Sequence, residues 1–297
     1  MSSRIAAALL AAGLVWPAMP ALYDVPVLGP AIAQAYYQLP KEIQGRISPN
    51  VRAQILPPAL PEPDAAGPSY PGGNDHRANQ AVLDQLVAEV GARHSGSVAI
   101  SVAGVHGQYT AGDDRPVLAF STMKVPLAIA ALRQDAGLYP DAEAAVTRSD
   151  NEATWRMEEV VPAPAVADVI AQAGSRTTNS AGWRMGTQWT TSDQAQFASG
   201  LRCVEGHEPV LDMMGRIVPE QRWGLGRIEG ARFKGGWNFH EDGHVARQFG
   251  LIPGPNGDVA VAITAYSPDG YVGSYRMLDE LADGLAKLTP QLPTSRC

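Results

Sequence analysis

The chain has 297 residues and a formal net charge of -7, with 23 Lys and Arg residues against 30 Asp and Glu residues. This length is sufficient for one large domain, or for two lobes around a sizeable core. No block of like charges stands out and lysines are few, which excludes the basic footprint of a nucleic-acid-binding protein and favours a small-molecule or cell-wall partner.

The N-terminal segment has the layout of a secretory signal peptide. Arg4 precedes the apolar run IAAALLAAGLVW, and the small-residue stretch PAMPA follows it. This run is too short to span a bilayer comfortably, and no other segment approaches transmembrane length. We therefore expect residues 1–21 to be a signal peptide and the protein to be secreted or retained in the cell envelope. An uncleaved anchor or a packed helix is the alternative.

A proline-rich segment follows the signal peptide. Half of the 24 prolines lie between Pro17 and Pro71, and the stretch ILPPALPEPDAAGPSYPGG cannot form a regular helix or a central strand. Residues 22–73 are therefore predicted to be a tether or a wrapping segment. The folded domain is predicted to span residues 74–297.

Hydrophobic periodicity places helices at both ends of this domain and strands inside them. HRANQAVLDQLVAEVGARH and GSYRMLDELADGLAKL have apolar residues at helical spacing, whereas GSVAISVAGVHGQYTAGD is typical of two strands joined by a tight turn. ARFKGGW, VARQFGLIP and DVAVAITAYS predict three further strands, with GPNG as a turn. The expected fold is α+β: a five-stranded antiparallel sheet flanked by the terminal helices, with a helical lobe inserted over about residues 121–225.

The chain contains two cysteines, Cys203 and Cys297. In an exported protein they could form one disulfide that closes the C-terminus onto the body of the domain. Their separation in space cannot be read from the sequence, so paired and free cysteines both remain open.

The stretch FSTMKVPLAIAAL places Ser121 three residues before Lys124 at the predicted start of an apolar helix. Residues at this spacing share one helix face, so the hydroxyl and the amine can meet. A lysine can accept a serine proton at neutral pH only if burial and nearby positive charge lower its pKa. The pair is a candidate nucleophile and base, although a chance spacing is the alternative.

Two further elements have polar groups suited to the same chemistry. Ser149, Asp150 and Asn151 precede a helical run, where Ser149 is either the start of a capping box with Glu152 or a proton relay beside Lys124. Lys234, Gly235, Gly236 and Trp237 lie in a predicted strand, where the lysine could bind a carboxylate and the glycines would allow a substrate backbone to approach. An ordinary bulge is the alternative reading of the glycines.

The three elements occur together and in order, and in this the chain resembles the penicillin-recognising serine enzymes, namely class A β-lactamases and D-alanyl-D-alanine peptidases. Their motifs S-x-x-K, S-D-N and K-T-G match Ser121–Lys124, Ser149–Asn151 and Lys234–Gly236, and the resemblance covers about residues 74–290.

The resemblance implies a role for each matched residue. Ser121 would be acylated, Lys124 would activate it and Ser149 would relay a proton. Asn151 and the strand residues Lys234, Gly235 and Gly236 would bind substrate. The oxyanion hole would consist of the backbone N–H groups of Ser121 and Trp237. The implied partner is a β-lactam or a peptidoglycan peptide, the implied state is a monomer, and no cofactor is implied.

Two departures from the pattern affect the expected activity. Gly235 replaces the hydroxyl residue that usually helps to bind the substrate carboxylate, and Arg247 on the neighbouring strand could substitute for it, unless it is a structural arginine. The stretch SRTTNSAGWRMGTQW contains no carboxylate where class A β-lactamases have the glutamate that activates the deacylating water. Glu152, Glu158 and Glu159 are expected on a solvated helix face. Slow deacylation is therefore expected.

Other signals are weaker. His240 and His244 in HEDGH are expected in a hairpin loop and not in a metal site, since no third ligand cluster accompanies them. Tryptophans at positions 155, 183, 189, 223 and 237 could line a cleft or fill the core. Two rival functions stay open: a non-catalytic binding protein with this fold, and a serine esterase that uses the same Ser–Lys pair.

Overall fold

The computed structural model describes residues 36, 43, 45–55, 73–175, 186–240 and 243–297. The predicted signal peptide and residues 56–72 of the predicted tether lie outside these ranges, as does Trp183. Within the described part of the chain, no helix is both long and apolar enough to cross a bilayer.

The described residues form helices and strands with the following bounds. The helices are α1 (Pro49–Ile55), α2 (Gly73–Arg93), α3 (Lys124–Gln134), α4 (Tyr139–Thr147), α5 (Asn151–Val160), α6 (Ala163–Gln172), α7 (Thr191–Gly200), α8 (Glu208–Met214) and α9 (Gly270–Leu288). The strands are β1 (Ser97–Gly104), β2 (Gly107–Gly112), β3 (Val117–Leu118), β4 (Gln188–Trp189), β5 (Arg232–His240), β6 (Gly243–Ile252) and β7 (Val259–Ser267).

Five of the strands form one antiparallel sheet in the order β2-β1-β7-β6-β5. Two tight turns determine the strand register. Gly104 pairs with Gly107 across a two-residue hairpin turn, and Gly254 and Gly257 exchange backbone hydrogen bonds of 3.1 and 3.2 Å across the GPNG turn. The predicted α+β fold, with a five-stranded antiparallel sheet, is confirmed.

The sheet has a hydrophobic core on each face. α2 and α9 cover one face, where the apolar positions of the sequence pattern are buried; these are Leu83, Leu86, Val90, Met277, Leu278, Leu281 and Leu285. The other face packs against α7 and the inserted helices, whose core includes Trp189, Phe197 and Phe249. The inserted lobe therefore meets the sheet on the side opposite the terminal helices.

The predicted helix at Ser121 begins later than expected. Phe120 to Met123 form a 3₁₀ turn, and α3 starts at Lys124. Phe120 has a φ of 49°, in the left-handed region, which breaks helical geometry immediately before Ser121. Ser121 therefore lies in a sharp turn between strand β3 and α3.

The C-terminal tail is bound to the body of the domain. Cys203 and Cys297 form a disulfide with a Cα–Cα distance of 5.5 Å. Backbone bonds of 3.1 Å from Val105 N to Thr294 O and of 2.8 Å from Ser295 N to Asp258 O bind the preceding residues. The alternative of two free cysteines is thereby excluded.

One part of the predicted tether is structured. α1 falls inside residues 22–73, and the side chains of Ile47 and Ile55 are buried. These two residues precede the densest proline stretch, so their burial does not conflict with the helix-breaking composition that follows.

Candidate active site

The candidate site lies at the free edge of β5. This strand is last in the sheet, so β6 binds only one of its sides, and its other side packs against the 3₁₀ turn that contains Ser121. A side chain at Gly236 would place its Cβ 2.9 Å from the Ser121 nitrogen and 2.9 Å from the Ala119 oxygen. Only glycine permits this approach, so Gly236 brings the predicted nucleophile against the strand.

Backbone strain is concentrated in two of the motifs. Among the described non-glycine residues, Phe120 and Ser149 alone have positive φ, at 49° and 62°. Phe120 directly precedes Ser121, and Ser149 opens the second motif. Strain of this kind costs of order 1–3 kcal/mol and clusters at functional sites, where it is retained because it aims a side chain.

Lys124 is fully buried and binds the second motif. Its Nζ donates to Ser149 O at 2.6 Å and to Asn151 Oδ1 at 2.7 Å, and a longer contact of 3.5 Å reaches Ser149 Oγ. No hydrogen bond joins it to Ser121 Oγ. Burial lowers the pKa of Lys124 to about 7, against the opposing effect of the Asp150 and Glu158 charges. A substantial fraction of Lys124 is therefore a neutral amine at physiological pH.

The Ser149 side chain is available for this contact because another residue caps α5. Asp150 is the N-cap, and its carboxylate accepts the Ala153 N–H at 2.9 Å, a bond that lowers the pKa of Asp150. The alternative that Ser149 caps the helix is therefore wrong. The reason is the left-handed Ser149 backbone, which turns its hydroxyl away from the helix start.

Lys234 approaches Ser149 from the strand. Its Nζ donates to Ser149 Oγ at 3.0 Å and to Gly235 O at 3.0 Å. Complete burial, together with the positive charge of Lys124, lowers the pKa of Lys234 well below its usual value. Ser149 Oγ therefore lies between two lysine amines, and the charge of Lys124 disfavours protonation of Lys234.

The expected role of Lys124 as the base that activates Ser121 predicts a pH dependence of acylation. A base must be unprotonated, so the rate of acylation of Ser121 by an activated ester is expected to rise with pH through about 7 and then level off. The rate is measured from about pH 5 to about pH 9, with the spontaneous hydrolysis subtracted. A rate that falls over this interval would contradict the assignment of Lys124 as the base.

Substitution of Gly236 tests the close approach of β5 to Ser121. Gly236→Ala is expected to slow acylation about a hundredfold, because the added methyl displaces one of the two N–H groups predicted to stabilise the oxyanion. Gly91→Ala is the matched control, since a Cβ there has no atom within 4 Å. Acylation rates and thermal unfolding are measured for both variants; equal rates would show that the approach is unimportant.

Gly235 faces a tryptophan. A Cβ at this position would lie 3.1 and 3.2 Å from two ring carbons of Trp223. The Trp223 ring stacks on Tyr275 with centroids 4.4 Å apart and meets the Trp237 ring edge-on at 5.7 Å. A Cβ at position 235 would therefore contact the indole more closely than most Cβ atoms contact a neighbour, so a larger residue here would require the ring to shift.

Arg247 does not occupy the predicted position. It is fully buried, and its NH1 donates to the backbone oxygens of Val117, Leu118 and Trp189 at 3.0, 3.2 and 2.8 Å. Its Nε donates to Gln194 Oε1 at 3.0 Å. The prediction that Arg247 replaces the missing hydroxyl residue in binding the substrate carboxylate is therefore wrong. Its side chain points to the inserted lobe and binds backbone oxygens of strands β3 and β4.

Two residues that form a hydrogen-bond network with Arg247 carry no signal in the sequence. Gln194 Nε2 donates to Thr122 Oγ1 at 2.8 Å, and Thr122 Oγ1 donates to Ala119 O at 2.5 Å. Together with Arg247 they form a buried polar network directly behind the Ser121 turn. A buried glutamine and threonine carry no motif signal, so only the fold reveals them.

The remaining sequence candidates lie elsewhere. Trp189 is a core residue and Trp155 is 51% exposed. Glu152 and Glu159 are exposed as expected, but Glu158 is half-buried and its charge acts on Lys124. In the HEDGH segment, β5 ends at His240 and β6 begins at Gly243, and Glu241 and Asp242 lie outside the described residues, so the hairpin loop stays a prediction.

Comparisons with known proteins identify the fold. Neither a family model nor a curated protein matches the chain. Solved structures, in contrast, do match the chain. A β-lactamase from Sphaerobacter thermophilus is 22% identical with a TM-score of 0.58, and the match covers 72% of this chain and 98% of that one. A class A β-lactamase from Bacteroides cellulosilyticus is 12% identical with a TM-score of 0.57, with coverages of 70% and 98%. The chain therefore has the β-lactamase fold.

Proposed function

We propose that the protein is an exported serine hydrolase that forms an acyl-enzyme at Ser121. The observation that carries the proposal is the contact of three motifs in one place: Ser149 Oγ lies 3.0 Å from Lys234 Nζ and 3.5 Å from Lys124 Nζ, and Gly236 brings β5 against the Ser121 turn. Both lysines are buried, which costs folding free energy, and strongly shifted pKa values of this kind cluster at functional sites.

In this proposal the neutral Lys124 amine accepts the Ser121 proton as Oγ attacks the substrate carbonyl. Lys124 must first release Asn151, which it binds in the resting geometry; catalytic hydrogen bonds often form only once substrate is bound. The negative oxygen of the tetrahedral intermediate is stabilised by the N–H groups of Ser121 and Trp237.

The intermediate then collapses. Ser149 donates its proton to the departing amine or alkoxide and regains one from a lysine, so the bond between the carbonyl carbon and the leaving group breaks and an ester to Ser121 remains. Water hydrolyses this ester to release the acid. Residues 175–189 contain no carboxylate to activate that water, so we expect acylation to be faster than deacylation.

The proposed substrates are a β-lactam or a D-alanyl peptide, and a simple ester is the second candidate. The fold and the three motifs favour the first class, whereas Gly235 and the inward-facing Arg247 favour the second. The proposal includes export through the N-terminal signal segment and action as a monomer on a small molecule, without a cofactor.

A single experiment tests the acyl-enzyme. The protein is incubated with a labelled penicillin and, separately, with an activated ester, and the mass of the intact protein is followed over time with Ser121→Ala as control. A mass increase on the wild type that is absent from the variant, followed by slow loss, is expected. If neither reagent labels Ser121, the protein is a non-catalytic binding protein with this fold.

A further inference from the structure

The three carbonyl groups immediately before the turn that contains the candidate nucleophile accept hydrogen bonds from side chains. Arg247 NH1 donates to the oxygens of Val117 and Leu118 at 3.0 and 3.2 Å. The next oxygen, that of Ala119, accepts the hydroxyl proton of Thr122 at 2.5 Å. Side chains therefore fix the backbone on the N-terminal side of this turn, before helix α3 has begun.

The donors form one chain of hydrogen bonds with a fixed direction, and all three side chains in it are fully buried. Arg247 Nε donates to Gln194 Oε1 at 3.0 Å, and Gln194 Nε2 donates to Thr122 Oγ1 at 2.8 Å. A guanidinium can only donate, so the oxygen of the Gln194 amide must face it and the amide nitrogen must face Thr122. The Thr122 hydroxyl accepts this bond and donates its one proton to Ala119 O. Loss of one member would leave its buried neighbour without a partner.

Strand β5 contacts the same turn beside this network. Arg247 pairs with Gly236 across β6 and β5, so both lie on one face of the sheet. A Cβ at Gly236 would lie 2.9 Å from Ser121 N. Phe120, with its left-handed φ of 49°, lies between Ala119, which the network binds, and Ser121, which β5 contacts. Strained backbone of this kind persists only where the surrounding structure over-determines it, as the network and β5 do here.

We propose that Arg247, Gln194 and Thr122 are positioning residues that hold the Ser121 hydroxyl and N–H group in the geometry that acylation requires. This inference rests on the proposed acyl-serine function and deepens it. Among the described hydrogen bonds, none joins these three side chains to the two buried lysines or to the hydroxyl of the second motif. Their effect on the reaction therefore acts through the backbone of the turn, and an error of about 1 Å in placing a reacting atom can cost about a hundredfold in rate.

Removal of the Thr122 hydroxyl tests the network. Thr122→Val keeps the shape of the side chain but cannot donate to Ala119 O or accept from Gln194. It is expected to slow the acylation of Ser121 by 4-nitrophenyl acetate about tenfold to hundredfold. Thr122→Ser retains the hydroxyl and should stay within about threefold of the wild-type rate.

Thr264→Val is the matched control. Thr264 pairs with Arg247 across β7 and β6, and its hydroxyl bonds to that of Thr191 at 2.7 Å. The variant undergoes the same chemical change and loses one buried hydrogen bond between the sheet and α7, but it leaves the chain of bonds to Ala119 intact. Its limiting rate of acylation should equal that of the wild type.

A second variant breaks the chain at another member. Gln194→Met is expected to slow acylation by a similar factor. The double variant of Gln194→Met with Thr122→Val should be no slower than the slower single variant, because both changes interrupt one chain of bonds. Either single variant is sufficient if the other does not fold.

Two measurements distinguish positioning from a general loss of stability. In the rate measured against ester concentration and pH, the limiting rate should fall while the midpoint near pH 7 stays unchanged, because no member of the network bonds to Lys124. A purely structural role would instead reduce the fraction of protein that is acylated and leave the limiting rate of the folded fraction unchanged. Backbone hydrogen exchange over residues 117–123 should be faster in Gln194→Met than in the wild type and unchanged in Thr264→Val. Unchanged exchange in Gln194→Met would contradict the inference.

The outcomes separate this inference from the proposed function. If 4-nitrophenyl acetate gives no adduct at Ser121 of the wild type, the acyl-serine function is wrong and the positioning role falls with it. If the adduct forms, and folded Thr122→Val and Gln194→Met acylate at the wild-type limiting rate, the acyl-enzyme stands and only the positioning role is wrong. The same conclusion follows if Thr264→Val is slowed as much as Thr122→Val.

Discussion

Replacement of Lys124 with methionine is expected to slow acylation of Ser121 about a thousandfold, the magnitude typical of removing a positioned general base. Methionine matches the length and the burial of the lysine stem but cannot accept a proton. The rise of the rate through about pH 7 should vanish with it, because that rise reports the titration of Lys124. Stopped-flow or mass measurements of acylation across pH check both effects.

Two controls accompany this variant. Lys287→Met removes an exposed lysine from α9 and should leave the acylation rate unchanged. Unfolding measurements show whether Lys124→Met is folded. The pH dependence of the wild-type free energy of unfolding also has an expected direction. Folded Lys124 loses its proton near pH 7, whereas unfolded lysine retains it to about 10.5, so wild-type stability rises with pH between these values. The free energy of unfolding of the variant should therefore exceed that of the wild type by the largest margin below pH 7. A wild-type acylation rate in the folded variant would exclude Lys124 as the base.

Removal of the disulfide is expected to lower the free energy of unfolding by about 3–5 kcal/mol, since the two cysteines are 94 residues apart and the bond restricts a long loop in the unfolded chain. The double variant Cys203→Ser with Cys297→Ser is compared with the wild type by chemical denaturation. The loss should also release the tail contacts of Thr294 and Ser295 with Val105 and Asp258.

Reductant provides the control for this second prediction. The wild type in reductant should lose the same stability as the double variant, and the variant itself should not respond to reductant. Acylation of Ser121 by an activated ester should persist in the variant at temperatures where it is folded, because neither cysteine lies in the candidate site. If the variant and the oxidised wild type have equal free energies of unfolding, the prediction is wrong. The disulfide would then not restrict the unfolded chain, because the segment that it closes would remain ordered there.

Local patterns account for much of the agreement between the sequence and the structure. Strands β1, β2 and β5 to β7 were predictable because β-branched and small residues alternate or run continuously between glycine turns. The terminal helices were predictable because Leu83, Leu86 and Leu281 repeat at helical spacing and face the sheet. The order of the three motifs identified the candidate nucleophile for a similar reason, since each motif is a short contiguous stretch.

Other features depended on contacts between distant segments. The role of Arg247 follows from which face of β6 it occupies, and a change of one residue in register would have turned it to the face covered by α2 and α9. Asp150 and Ser149 are both good capping residues, and only the left-handed backbone at Ser149 decides between them. Trp223 is near Gly235 only because the loop before β5 folds back over the sheet.

The sequence by itself therefore determined the fold class and the chemical types available: a hydroxyl, two lysines and a glycine-rich strand. The tertiary structure alone decided the pairing of Cys203 with Cys297, the pKa of Lys124 near 7 and the aromatic surface beside Gly235. The physical reason is that secondary structure and motifs are read from neighbours along the chain. Burial, pKa shifts and cavity shape depend instead on atoms brought together from segments that are far apart in sequence.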